Sequence, residues 1–371
     1  MASAEAITEQ ISTEIHELII DHLRDDRRSL LACNLVCRSW VPRSRCLLLE
    51  SMVCRPVPMV SHGGFGKILC AVSYRQGGTD GLIYGTTDGV YRGSENGARL
   101  RLLSIHGVSK LEILLDANLF LCLADGVFMS MPLNTLIAGT CHDTDITRIS
   151  KHASFFDVYR GRTAGESQRV CVLKKSSLSG TIKIFDVSGN QQVSTLVNAQ
   201  ELYIPLEVNS LRFLSSTRLA AALKKGFAVQ GGFELVDLTT TETQTLLDPG
   251  DSALEFAHKK MKPITVFRVS DLFLVCYDKC GFYIDRRGNM ARNKRLMRWD
   301  FAPIAFALHD PYLLAFSDMR VEVWNIETAE MVQKINTPYY LLNAPESGEK
   351  ILALSPTSDD VVEMVFRDHG I

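Results

Sequence analysis

No stretch of the 371-residue chain approaches the roughly 20 consecutive apolar residues that a membrane-crossing helix needs. Asn-x-Ser/Thr acceptors are missing. The opening MASAEAITEQ has neither the basic start nor the apolar stretch of a secretory signal. An excess of one charge is missing too: 40 Lys and Arg against 42 Asp and Glu leave a net charge of −2. No global field therefore gathers nucleic acid or an acidic membrane, and any electrostatic partner has to meet a local patch. The ten cysteines follow no regular framework. Together these absences point to reduced thiols in the cytoplasm, with the nucleus as a second compartment.

What is present suits a globular protein. Hydrophobic residues make up 46% and charged residues 22%, enough for a sizeable core in one large domain, or a large domain with a small one beside it. Residues 7–54 read as helical. Ser12 and Thr13 are N-cap types, and Ile15, Leu18, Ile19 and Leu23 follow at the spacing of one apolar face. Leu30, Leu31, Leu35 and Val36 mark a second helix, and Pro42 suits the first turn of a third, running to about Met52. Cys33 and Cys37, four apart, read as core thiols of the second helix. CRPVPMVSHGGFGK, with two prolines and three glycines, reads as a linker over 55–66.

From Lys67 to the end (67–371) the period changes. Runs such as KILCAVSY, LFLCLADGVFMSM, TIKIFDV, LFLVCY and VEVWNIE are short, rich in Val, Ile, Phe and Tyr, and separated by turn residues. They group into units starting near Lys67, Val108, His152, Leu206, Pro263, Ala302 and Thr337. Each unit is roughly 44 residues long, the size of a four-stranded propeller blade. The expected fold is mainly β: a seven-bladed propeller preceded by a small all-α unit. The Gly-His and Trp-Asp dipeptides of WD repeats do not recur from unit to unit, which disfavours that family.

A search for chemistry finds none. GDSAL, Gly250 to Leu254, has the look of a hydrolase serine block but lies between β runs, without the strand-to-helix elbow that such a serine needs. GGFGK, Gly63 to Lys67, leads into a strand and offers no helix N-terminus to a phosphate. Cys276 and Cys280, expected on one face of a strand, and Cys141 beside His142 and Asp143 lack a second pair at zinc spacing. The nine histidines never stand with an acid and a nucleophile in a recognisable order. The expectation is a chain that is not an enzyme and has no catalytic residue, cofactor or metal. One basic stretch stands out, DRRGNMARNKRLMR, with Arg286, Arg287, Arg292, Lys294, Arg295 and Arg298 against a single acid. A solvated hairpin loop is the plainer reading; the functional one is contact with an acidic protein surface or anionic headgroups. No aromatic platform interleaves the charges, so nucleic acid is not an expected partner.

Two resemblances add to this reading. ISTEIHELIIDHLRDDRRSLLACNLVCRSW resembles the F-box, with Glu14, Ile15, Leu18, Ile19, Leu23, Leu30, Leu35, Val36, Cys37, Arg38 and Trp40 on matching positions. Ser12 stands where that family has proline, and His16 where it has an apolar residue. The resemblance implies docking on the Skp adaptor of a cullin–RING ubiquitin ligase through Leu35, Val36 and Trp40, supported by Ile15 and Leu18. From about Gly66 to Arg367 the chain is similar to the citron homology (CNH) domain, most clearly in APIAFALHDPYLLAFSDMRVEVWNIETAEMVQKI. That family implies a protein-interaction propeller associated with small GTPases. The leading expectation is an adaptor that presents an unidentified protein target to a ubiquitin ligase. The alternative is a regulatory scaffold for a Rho-type small GTPase or a trafficking complex, independent of ubiquitin.

Overall fold

All six residues of the strand Leu119–Ala124 are buried, and they face two different cores. Phe120, Cys122 and Ala124 pack towards the sheet on one side; Leu119, Leu121 and Leu123 pack towards the sheet on the other. A strand covered on both faces has no polar alternation to show, which is why the middle strands read as unbroken apolar runs. This arrangement repeats around a ring.

The computed structural model describes residues 13–23, isolated positions between 29 and 44, 54–60, and 66–366. Within the last stretch, 77, 94–98, 162–165, 176–178, 190–193, 225–231, 259–260, 292–294 and 346–348 lie outside the description. Seven four-stranded antiparallel sheets form the blades. Blade I holds Ile68–Gln76, Thr79–Thr86, Val90–Gly93 and Arg99–Leu103. Blade II holds Val108–Leu114, Leu119–Ala124, Val127–Pro132 and Thr147–Lys151, and blade III Ala153–Tyr159, Arg169–Lys175, Gly180–Gly189 and Ser194–Ile204. Blade IV holds Val208–Ser215, Arg218–Leu223, Phe233–Asp237 and Thr243–Thr245. Blade V holds Pro263–Val269, Leu272–Tyr277, Cys280–Ile284 and Leu296–Arg298, and blade VI Ala305–His309, Tyr312–Phe316, Val321–Asn325 and Glu330–Ile335. Seven apolar clusters join each blade to the next, and the last of them joins blade VII back to blade I. With about 1.5–3 kcal/mol gained per fully buried large apolar side chain, these seams hold the ring together.

Blade VII is assembled from both ends of the chain. Tyr340–Leu341, Leu352–Leu354 and Val361–Phe366 supply three strands, and Cys54–Val60 supplies the fourth. The N-terminal strand runs antiparallel to Val361–Phe366, with Cys54 opposite Phe366 and Val60 opposite Val361. The first half of the expected linker, 55–60, is therefore strand. Pro56 and Pro58 argued against that, but two prolines two residues apart lose their N–H groups on the same side, which an outermost strand tolerates.

Of the N-terminal helical region, one helix, Thr13–Asp21, is described, and most of the second and third expected helices fall outside the described residues. The expected apolar stripe is divided. Ile20 is fully buried and packs with Leu23 and Trp40, while Ile15, Leu18 and Ile19 face solvent.

Candidate functional site: the central channel

The first strand of every blade lines the axis of the ring, beginning at one face, here the upper, and ending at the lower. At the upper face these strands leave a mouth of about 290 Å3. Leu69, Phe155, Ile264 and Ile304 give it apolar walls, and Ser109, Ser210 and Thr265 add small polar groups. Its charged lining residues are Lys110 and Arg212. At the lower face a cavity of about 380 Å3 is lined by Asp80, Glu112, Asp116 and Glu349 beside Arg75, Arg160 and Lys350.

Between the mouths lies a network of ion pairs. Arg160 holds Glu112 at 2.7 Å and Glu349 at 3.2 Å, and it donates to the carbonyl of Ile113 at 2.6 Å. Lys110 stands 3.8 Å from both Glu112 and Asp157 and donates to the carbonyl of Phe156 at 2.8 Å. Arg212 lies 3.6 Å from the same Asp157, whose other oxygen accepts the Phe213 N–H at 2.9 Å. Burial pushes the Glu112 carboxyl above its usual value, and Arg160 and then Lys110 pull it part of the way back. At the lower rim Lys350 joins Asp80 at 2.9 Å and Glu363 at 3.1 Å, and these contacts raise its ammonium against the opposing effect of burial. A chain of charges held this way gives the axis a fixed electrostatic pattern in surroundings of low dielectric. None of these residues was singled out in the sequence. The available signal was a charge inside an otherwise apolar inner strand, as in VSKLEIL, ASFFDVY and VNSLRFLS.

The residues that the sequence did single out are scattered. Arg286 and Arg287 sit at the turn below blade V, and Arg286 pairs with Asp271 at 2.5 Å. Arg295 reaches the Glu327 carbonyl at 2.6 Å, while Arg298 lies in the outer strand opposite Cys280. Arg292 and Lys294 lie outside the described residues. Of the docking residues, Ile15, Leu18 and Val36 are exposed and Trp40 is half-buried beside His16; Leu35 lies outside the described residues. Cys276 and Cys280 do not share a face. They belong to neighbouring strands, Cys276 packing between blades V and VI and Cys280 between IV and V. Burial pushes both thiols up, that of Cys280 to about 12, the opposite of what a thiolate metal ligand needs. Among the described residues no group of three or more His, Cys, Asp or Glu is placed to hold a metal ion. Cys37 lies outside them, so the pair with Cys33 is not described. In GDSAL, Asp251 accepts the Ala253 and Met290 N–H groups, and exposed Ser252 starts a short 3-10 turn. Among the described residues no helix is long and apolar enough to cross a membrane.

The CNH domain profile matches residues 78–344, most of the ring. The chain belongs to the CNH domain family. Solved structures agree: the AfRom2 CNH domain superposes with a TM-score of 0.71 at 30% identity, covering 85% of this chain and all of that one. Among curated proteins the CNH chain is 36% identical over 282 residues to Rho1 guanine nucleotide exchange factor 1 of Schizosaccharomyces pombe, 69% of its own length. It is 31% identical over 319 residues, 79% of its length, to Rho1 guanine nucleotide exchange factor 2 of the same organism. The matches take in only 20% and 26% of those two proteins, so the CNH chain spans about a fifth to a quarter of their length.

These findings correct one expectation and leave a second unsupported. The first is that the chain is not an enzyme: its relatives carry guanine nucleotide exchange in their names. A search for nucleophiles, acid–base pairs and metal ligands is blind to such an activity, because exchanging a bound nucleotide breaks no covalent bond. The second is the F-box-like unit with its Skp adaptor partner, which the comparisons do not support; they favour the GTPase alternative. The motif behind it spans only about 30 residues. Much of it is the apolar spacing shared by all amphipathic helices.

Proposed function

We propose that this CNH chain is a regulatory module of Rho-type GTPase signalling, with the propeller as its protein-binding part. The observation that carries the reading is the 36% identity over 282 residues with a Rho1 guanine nucleotide exchange factor. The fold is suited to the role. A ring braced by seven apolar seams holds its loops and channel mouths in fixed positions, and rigid presentation lowers the ordering cost of binding.

The test is binding of the full chain to a purified Rho-type GTPase in its GDP-bound, GTP-analogue-bound and nucleotide-free states, with a Ras-type GTPase as control. Saturable binding to the Rho-type protein, at least tenfold tighter than to the control, is the expected result. No binding in any of the three states removes the reading. The rate of labelled-GDP release with and without the chain then gives the direction of regulation.

A further inference from the structure

The two ends of the channel differ in the charged residues that line them. The upper mouth has no acidic lining residue among those described: its charged lining is Lys110 and Arg212. The lower mouth sets four acids against three bases. Two carboxylates lie near the upper cations: Asp157 stands between Lys110 and Arg212, and Glu112, turned towards Arg160 at 2.7 Å, keeps its other oxygen 3.8 Å from Lys110. The Asp157 distances of 3.8 and 3.6 Å exceed the roughly 2.7–2.9 Å of a charge-assisted hydrogen bond. Neither carboxylate lines the mouth, so the charged groups that its floor presents are the two cations.

Above that floor the surface is apolar and open to water. Ile304 is 57% exposed and Leu69 36%, with Phe155 and Ile264 completing the rim. Lys110 also lies 4.6 Å from the Phe155 ring centre, which holds the ammonium beneath an apolar wall. Farther out on the upper face, Met319 and Tyr203 are about two-thirds exposed. At about 290 Å3 the mouth is at the lower limit of small-molecule sites, which run from about 300 to 1,000 Å3.

We propose that the upper channel mouth is a docking site for an acidic, apolar peptide segment of a partner protein. One carboxylate of the segment sits over Lys110 and Arg212, and its flanking apolar side chains lie on Leu69, Phe155, Ile264 and Ile304. A small inorganic anion would use the cations but leave the rim wet. A flat membrane would cover the rim but not reach cations whose side chains are only 15% and 18% exposed. A peptide segment uses both. The proposal concerns the mouth alone and does not rest on the GTPase reading.

The test uses the full chain and a fluorescent pool of acetylated pentapeptide amides with Asp at the centre, flanked by equal parts of Leu, Ile and Phe. A matching pool has Asn at the centre. Anisotropy titrations are expected to show the Asp pool binding at least tenfold tighter than the Asn pool. Ile304→Glu, at an exposed site and checked by circular dichroism, is expected to weaken Asp-pool binding at least tenfold. Arg212→Gln is expected to bring the two pools close to equal. Equal binding of both pools by the unmodified chain, binding indifferent to Ile304→Glu, or no binding of either pool overturns the proposal. So does sedimentation with phosphatidylserine vesicles that Ile304→Glu abolishes in the absence of peptide binding, which would assign the mouth to a membrane.

Discussion

Arg320 grips Glu322, two residues further along the chain, at 2.9 Å, and the carboxylate it holds has no solvent exposure. Trp324 donates its indole N–H to the other oxygen of Glu322 at 3.2 Å, and the guanidinium lies 4.8 Å from the Phe301 ring centre. Breaking such a pair from one side leaves a buried charge without its partner. Arg320→Ala is therefore expected to cost about 3 kcal/mol, and Glu322→Gln less, because Gln still offers an acceptor to Trp324. Urea midpoints measure both. A loss for Arg320→Ala no larger than the roughly 0.5 kcal/mol of an ordinary surface change would contradict the account.

Gly288 has φ of +90°, and a Cβ there would stand 2.5 Å from the Leu246 carbonyl oxygen and 2.7 Å from the Asp248 nitrogen. Both are backbone atoms, and the Gly288 carbonyl itself accepts the Asp248 N–H at 3.0 Å. Neither strain nor crowding can be relieved by turning a side chain. Gly288→Ala is expected to destabilise the fold by about 2–4 kcal/mol and to loosen the turn that carries Arg286 and Arg287. Thermal melting gives the first effect, and limited proteolysis at those arginines the second.

Glu234 is buried, and its Oε2 has no hydrogen-bond partner among the described residues. Burial raises its carboxyl above the usual value. A folded-state value above the unfolded one means that the folded chain keeps its proton longer. Stability is then lost as pH rises from the unfolded carboxylate range through the raised value. Glu234→Gln is expected to stabilise the protein by about 1 kcal/mol at pH 8, with the gain shrinking towards zero at pH 4. Urea titrations of both proteins at pH 4, 6 and 8 check this; a gap of constant size would refute the ionic origin.

The strand Cys54–Val60 completes blade VII, so two truncations are expected to behave differently. Removing residues 1–53 leaves that sheet with its four strands. Removing 1–60 takes away the outer strand and leaves the backbone of Val361–Phe366 unpaired along one edge. The shorter protein is expected to melt roughly 5 °C below the longer one and to aggregate sooner. Equal melting temperatures would mean that the strand contributes little to closure.

How much of this was legible follows from which signals are local. Expected unit starts at Val108, Pro263 and Lys67 lie at or next to the observed inner strands beginning at Val108, Pro263 and Ile68. Blade period is written into each unit by its own apolar runs and turns. Closure is not, because pairing Cys54 with Phe366 joins residues at opposite ends of the chain, and prolines in that strand read locally as a breaker. The channel was equally hidden. Lys110, Asp157 and Arg212 are dozens of residues apart, and only the ring brings them around one axis. Cys276 and Cys280 failed in the opposite way: the turn at Asp278 between them places on two strands a pair that looked like neighbours on one.

The pairing of Cys54 with Phe366 also has a mechanical consequence. Two antiparallel strands whose outer ends lie side by side resist a pull on those ends one rung at a time, like a zip fastener opened from its tab. Tension between the segments leading into and out of the ring would peel residue 54 from residue 366 first and work towards Val60. The six other blades, each a continuous piece of chain, would bear no load until that seam had opened.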